Sequence, residues 1–214
     1  MKILIISAHP DDEVIGMGGT IKKLSNNKND ITLCVVSEGA SAQYKNKKMI
    51  QVRKKACMNA GKFLGISKFY FLDFPDGKLD SVPQLNINKK IEKVISKTNP
   101  EIVYTTPNHD LNRDHQKVFE STLVATRPQS SSVKQVMCYE LPGISKEPFQ
   151  AKVFQDITNT FSSKIKAFKY YDSEIEEFPH PRSLKALENL ANQRGVESGL
   201  KKAEAFNLIR KIEK

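Results

Sequence analysis

The chain has 214 residues and carries 34 lysines and arginines against 24 aspartates and glutamates, a formal net charge of +10 with the histidines neutral. At about 150 residues per domain this length suits a single domain. A composition 39% hydrophobic and 27% charged excludes a disordered or fibrous chain, and the length suffices for a core without disulfide or metal staples.

Apolar runs of strand length alternate with segments of helical period from the first residues onward, the pattern of βαβ units. Strands are predicted near Ile3 to Ser7, Ile31 to Val36, Lys68 to Leu72, Ile102 to Thr105 and Lys134 to Tyr139. Helices are predicted near Val14 to Ser25, Met49 to Phe63, Asn86 to Ser96 and His115 to Ala125. Asn29-Asp30, Pro75-Asp76-Gly77 and Asn99-Pro100 supply turns at the expected boundaries. Five parallel strands need both faces covered, so the fold class is α/β, a three-layer α/β/α sandwich with a mostly parallel, Rossmann-like sheet. Beyond Leu141-Pro142-Gly143 the pattern predicts a short strand near Val153 and two helical stretches, Ser162 to Ile175 and Arg182 to Ile212, with Gly195 breaking the second. No low-complexity linker intervenes, so residues 1–214 form one domain, a sandwich core over about 1–140 and a helical C-terminal extension over about 141–214.

Cys34, Cys57 and Cys138 are odd in number and lack CxxC spacing, which argues against a disulfide framework; Cys34 and Cys138 sit in apolar runs as small core residues. The N-terminal apolar run is too short for a secretory segment, and no stretch reaches the ~20 apolar residues of a membrane span. A cytoplasmic protein without a membrane span is expected.

In an open α/β sheet, sites form where strands end at their carboxyl side. Two such loops concentrate chemistry. Ala8 to Val14, after the first strand, holds His9, Asp11, Asp12 and Glu13. Helix capping accounts for one or two of these acids but not for the histidine and Pro10. Asn108 to Gln116, after the fourth strand, holds His109, Asp110, Asp114 and His115, two of only four histidines in the chain. Parallel strands end on one edge, so the loops can meet. Imidazole and carboxylate ligands without cysteine suit zinc or another borderline divalent ion, three protein ligands leave an open position, and a spare carboxylate serves as general base. Spacing alone does not say which acid binds and which reacts.

His9-Pro10-Asp11-Asp12-Glu13 followed by Gly16-Met17-Gly18-Gly19-Thr20 resembles the signature of the PIG-L/LmbE-like zinc de-N-acetylases, and Asp110-Leu111-Asn112-Arg113-Asp114-His115 resembles that family's distal histidine motif. The resemblance extends to Thr126-Arg127-Pro128, to His180-Pro181-Arg182-Ser183-Leu184 and to Arg194-Gly195 through Ala203-Glu204-Ala205-Phe206, nearly the whole chain. It implies a hydrolase that removes an N-acetyl group from an amino sugar conjugate, N-acetylglucosaminyl or similar, which is free to be phosphorylated or linked to a nucleotide or lipid. His9, Asp12 and His115 fall on the ligands of one zinc per chain, and Asp11 falls on the general base. Arg53 matches an arginine that contacts substrate. Where some members carry an assisting histidine this chain has Asn112, which donates a hydrogen bond but transfers no proton. The assisting role is then dispensable or moves to His109 or His180. Asp114 orients its neighbours or caps the helix at His115.

A zinc amidohydrolase acting on a non-sugar amide is the alternative. Dinucleotide binding is disfavoured, because Gly16-Met17-Gly18-Gly19 fails the GxGxxG template and three acids stand where a pyrophosphate would sit; the glycines read instead as close packing of the first helix on the sheet. Between Gly39 and Leu72 lie eight basic residues and no acid. Tyr44 is the only aromatic beside the densest cluster of them, so stacking platforms for bases are missing and nucleic acid is not an expected partner. The run is a solvated helix face, or Lys45 to Arg53 attract a substrate phosphate from the loop after the second strand. Assembly into a homo-oligomer is compatible with the sequence.

Overall fold

The computed structural model describes residues 1–143 and 145–213. In chain order its elements are β1 (Lys2–Ser7), α1 (Asp12–Asn26), β2 (Asp30–Ser37), α2 (Lys48–Leu64), β3 (Lys68–Phe74), α3 (Gln84–Thr98), β4 (Ile102–Thr105), α4 (Arg113–Ala125), β5 (Gln135–Tyr139), β6 (Val153–Asp156), α5 (Phe161–Phe168), α6 (Leu184–Ser198) and β7 (Ala203–Lys211). The strands form one sheet in the order β3-β2-β1-β4-β5-β7-β6, parallel from β3 through β5 and antiparallel at β7 and β6.

β1 and β2 read as nearly unbroken apolar runs because both faces of the sheet are covered. Successive side chains point to opposite faces, and the core divides accordingly. Ile3, Ile5 and Leu33 pack with Val14, Cys57 and Phe168 on one side, while Leu4, Ile6 and Cys34 pack with Ile87, Val103 and Val118 on the other. This is the three-layer sandwich. All three cysteines are free and buried, and burial pushes the Cys34 thiol up to about 12. The glycines of α1 let it lie close on its neighbours: a Cβ on Gly16 would fall 2.3 Å from Tyr139 Cδ2, and one on Gly19 2.8 Å from Ile157. Among the described residues no helix is long and apolar enough to cross a membrane.

The tail corrects the helical reading of residues 182–212. α6 stops at Ser198, where Gly199 takes φ +73° and Leu200 N donates to Gly195 O at 2.9 Å, a Schellman-type end. Gly195 is therefore no break; it lies inside α6, where a Cβ would meet Leu200 O at 2.6 Å. Residues 203–211 are a strand that fills the place beside β5, with Phe206 and Leu208 packed on one core and Ile209 on the other. The edge of β5 offers unpaired backbone groups, and pairing them outweighs the helix propensity of an Ala-, Glu- and Leu-rich segment. The stretch from Ser162 is likewise helical only to Phe168, followed by a 3₁₀ turn at Asp172–Glu174. The C-terminal extension thus contributes two strands to the core sheet as well as helices.

Strand order reverses beside β1, since the chain builds β2 and β3 on one side and β4 and β5 on the other. The carboxyl ends of β1 and β4 flank this switch point.

Candidate metal centre

The loop after β1 is held in a strained shape. Asp11 has φ +126°, a region that side chains with a Cβ rarely adopt. Several contacts fix it. Asp11 O accepts from Val14 N at 3.0 Å and Ile15 N at 2.9 Å, and Asp11 N donates to Glu13 Oε2 at 3.2 Å. Arg53, reaching in from α2, donates to Pro10 O at 2.9 Å, to Asp11 Oδ2 at 3.2 Å and to Gly39 O. Tyr171 donates to Glu13 Oε1 from below. The consequence is that two adjacent carboxylates face different partners.

Asp12 faces the histidines. His9 Nδ1 and His115 Nε2 lie 3.2 Å apart, His9 Nδ1 is 3.6 Å from Asp12 Oδ2, and His115 Nε2 is 3.5 Å from Asp12 Oδ1. Tetrahedral zinc ligands at about 2.0 to 2.1 Å from the ion stand about 3.3 Å from each other, so the two ring nitrogens and the Asp12 carboxylate fit that group. The opposite nitrogens are engaged from behind. His9 Nε2 lies 3.1 Å from Asp76 Oδ1 and 3.2 Å from Asp114 Oδ2, and His115 Nδ1 lies 2.7 Å from Asp110 Oδ2. Asp114 is itself anchored by Gly77 N at 2.8 Å and Leu79 N at 3.0 Å. Such outer carboxylates set ring orientation and tautomer at metal sites.

The electrostatics agree. Burial opposes charge on both imidazoles, yet His9 is raised well above its ordinary value by Asp114, Asp12 and Asp76, and His115 is raised to about 9 by Asp12 and Asp110. Burial likewise opposes charge on Asp12, but the two histidines hold it well below the usual carboxylate range. The surrounding carboxylates therefore create a demand for positive charge at the point where the three ligand atoms converge.

Asp11 faces guanidiniums instead. Its Oδ2 is 3.2 Å from Arg53 and 3.7 Å from Arg182, and both arginines also reach Glu174 Oε2, at 3.2 and 3.3 Å. Burial raises Asp11 to about 6 against the pull of Arg53 and Arg182. Its Oδ1 is buried and without a partner.

A cavity of about 630 Å³ opens beside the cluster. Asp12, His109, Asn112, His115, His180 and Arg182 line it. Asn112 caps α4, its Oδ1 accepting from Asp114 N at 2.9 Å, which leaves its amide N–H groups for the cavity. His109 Nδ1 lies 3.5 Å from Glu147 Oε2, and His180 Nδ1 accepts from Arg182 N at 3.1 Å. Arg53, expected to contact substrate, is 2% exposed, enclosed against Asp11 and outside the cavity lining. Lys45 is exposed and outside the cavity lining. Asp76, Asp110, Glu174 and Arg182 received no role from the sequence. Asp76 was accounted for by its turn, and Arg182 and Glu174 lie far along the chain; only Asp110, five residues before His115, carried a usable signal.

The sequence model of the family described as PIG-L, GlcNAc-PI de-N-acetylase, matches residues 4–126. The diacetylchitobiose deacetylase of Thermococcus kodakarensis is 25% identical over 223 aligned residues, covering 97% of this chain and 83% of its own. Among solved structures, the N,N'-diacetylchitobiose deacetylase of Pyrococcus horikoshii, complexed with its inhibitor MPG, superposes with a TM-score of 0.83 at 22% identity over 98% of this chain and 84% of that one. GalB, the 4-carboxy-2-hydroxymuconate hydratase of Pseudomonas putida KT2440, superposes with a TM-score of 0.82 at 21% identity over 100% of this chain and 98% of its own. The same fold thus carries a hydratase, and fold alone does not select the reaction.

Proposed function

Because this chain belongs to the PIG-L family of GlcNAc-PI de-N-acetylases, whose sequence model spans more than half of it, it is an N-deacetylase, and we propose that its substrate is an N-acetylglucosaminyl or similar amino sugar conjugate. The relatives reported above include deacetylases of diacetylchitobiose, which supports an acetylated sugar. The observation that carries the reading is the convergence of His9 Nδ1, Asp12 and His115 Nε2 within 3.2 to 3.6 Å of one another, with the neighbouring residue Asp11 keeping an unpartnered Oδ1.

His9, Asp12 and His115 would hold one zinc ion. Zinc bound there would supply Lewis acidity toward water and toward the acyl oxygen. The chain's own residues supply the rest. Asp11, raised to about 6, stays largely ionised at neutral pH and is still basic enough to take a proton from the attacking water. Oδ1 is its free oxygen, because Oδ2 is fixed by Arg53. Water adds to the acetamide carbon, the C–N bond breaks, acetate forms, and Asp11 returns the proton to the departing amine. His180 assists the developing oxyanion. Its Nδ1 accepts a backbone N–H, so Nε2 carries the ring proton as a donor. His109 is the second candidate donor, on the same cavity, and Asn112 offers its amide to a substrate hydroxyl. Arg53 serves the reaction by positioning Asp11.

The test combines metal analysis of the purified protein with acetate release from free and conjugated N-acetylhexosamines. Stoichiometric zinc with acetate released from at least one of these substrates is expected. Acetate released only from non-sugar amides, or full turnover after complete metal removal, refutes the reading.

A further inference from the structure

The cavity is larger than the acetamide chemistry requires. Its lining runs along the carboxyl edge of the sheet from Asp12 after β1, past β4 and β5, to Asn207 on β7, three strand spacings or about 14 Å. Its far wall is α6, where Ala186, Asn189, Leu190, Gln193 and Arg194 recur at helical spacing. From first to last that stripe is about 12 Å long. A sugar whose acetamide reaches His9, Asp12 and His115 leaves this far compartment for the group to which the sugar is joined.

The chemistry of the compartment is specific. No lysine is among the described lining residues, and both arginines are engaged. Arg194 donates to Glu140 from Nε at 2.8 Å and from Nη2, and Arg182 lies 3.3 Å from Glu174 and 3.7 Å from Asp11. An anionic group entering here would meet Glu140 and Glu147 and find no unengaged cation, so its desolvation would go uncompensated. Amides line it instead: Asn189, Gln150 and Gln193, the last donating from Nε2 to Glu197 at 3.3 Å, and Asn207, whose buried Oδ1 has no partner. A hydroxyl both donates and accepts, and so satisfies either end of an amide. Phe149 and Phe178 add apolar surface for the C–H face of a ring.

Resting on the N-deacetylase reading above, we propose that this far compartment binds a neutral, hydroxyl-rich aglycone, a second sugar ring, and selects against phosphorylated or otherwise anionic ones. Lys45 and Lys48 lie outside the lining and do not alter this selection.

Acetate release by the zinc-loaded full chain would be measured on N-acetylglucosamine, on diacetylchitobiose and on the anomeric phosphate of N-acetylglucosamine. The disaccharide is expected to exceed the phosphate in kcat/KM by at least about tenfold, the worth of one or two hydrogen bonds made and one charge left unpaired. Asn189→Ala with Gln193→Ala should lower the disaccharide-to-monosaccharide ratio about tenfold, while Asn189→Arg, which supplies an unengaged cation, should raise the phosphate relative to the disaccharide. Calorimetry on the Asp11→Asn protein should give the same order as dissociation constants, without turnover. A parent that prefers the phosphate, or a double variant with an unchanged ratio, overturns the inference alone. Acetate from none of the three sugars overturns the amino sugar reading and the inference with it.

Discussion

Asp114 lets the proposed metal centre be weakened without touching a ligand. It is buried in the first turn of α4, where Oδ2 lies 3.2 Å from His9 Nε2 and accepts from Gly77 N at 2.8 Å, and Oδ1 accepts from Leu79 N at 3.0 Å. In Asp114→Asn one oxygen becomes an NH₂ group. Turned one way it opposes Leu79 N, turned the other it opposes Gly77 N and the His9 N–H, so donor meets donor in both orientations. Hydrogen bonds to charged groups are worth about 1.5 to 3 kcal/mol, and removing an outer-sphere partner of a metal-bound histidine typically weakens metal binding about 10- to 100-fold. Because Asp76 also reaches His9 Nε2, at 3.1 Å, it offers the ring proton a second acceptor. Each single Asn variant should therefore fall near the lower end of that range, and Asp76→Asn with Asp114→Asn should exceed the sum of the two. Zinc dissociation constants from competition with a chromophoric chelator measure the effect, with melting of the chelated protein as a control for folding. Constants within twofold of the parent in the double variant would refute the idea that these carboxylates orient His9.

Asp11→Asn should lower kcat at least about 100-fold, the usual worth of a general base, with zinc content unchanged; loss of the metal would place Asp11 among the ligands instead. Glu204 accepts from Gly19 N at 3.0 Å, Thr20 N at 2.7 Å and Lys164 Nζ at 2.7 Å, all buried. Glu204→Leu should cost about 3 to 5 kcal/mol by stranding the ammonium, seen as a fall in Tm of about 2 to 4 °C for each kcal/mol. Adding Lys164→Met should recover much of the loss, and a fall of under about 1 kcal/mol for Glu204→Leu alone contradicts the account. Lys45→Glu with Lys48→Glu should change kcat/KM less than about twofold on neutral and phosphorylated sugars alike, as expected of surface substitutions away from a site; a rise in KM confined to the phosphorylated sugar would restore the basic loop as an anion reader.

The parallel part of the sheet was legible because buried parallel strands are apolar almost throughout and announce themselves without long-range information. β7 was not. Its sequence, AEAFNLIRK, is rich in helix formers, and it becomes a strand only because β5 presents an edge and because Phe206 and Leu208 reach the α1 side of the core. That decision is tertiary. The consequences reach the site, since Glu204 from this strand accepts from Gly19 and Thr20 just after the irregular Met17, where the helix carrying Asp12 restarts.

For the candidate site, what could be read was what lies near a strand end: His9, Asp11, Asp12 and His115 follow β1 and β4 directly. Of the supporting residues, Asp110 and Asp114 share the segment after β4 with His115, while Arg53, Glu174 and Arg182 follow no such rule. Adjacent carboxylates repel, and a relaxed backbone would not send Asp11 and Asp12 to opposite partners; the φ of +126° at Asp11 separates them. Strain of this kind costs about 1 to 3 kcal/mol and persists only where surroundings over-determine it. Here the constraint comes from Arg53, which bonds Pro10 O, Gly39 O and Asp11 Oδ2 at once. Its role is invisible in sequence because a helix arginine among lysines looks solvated, and only packing reveals that one cation of that basic run is turned inward. The net charge of +10 is therefore two different things. Most of the run from Lys45 to Lys55 is exposed or half-buried, while its one buried guanidinium, that of Arg53, stands against Asp11 and lets two adjacent carboxylates face different partners.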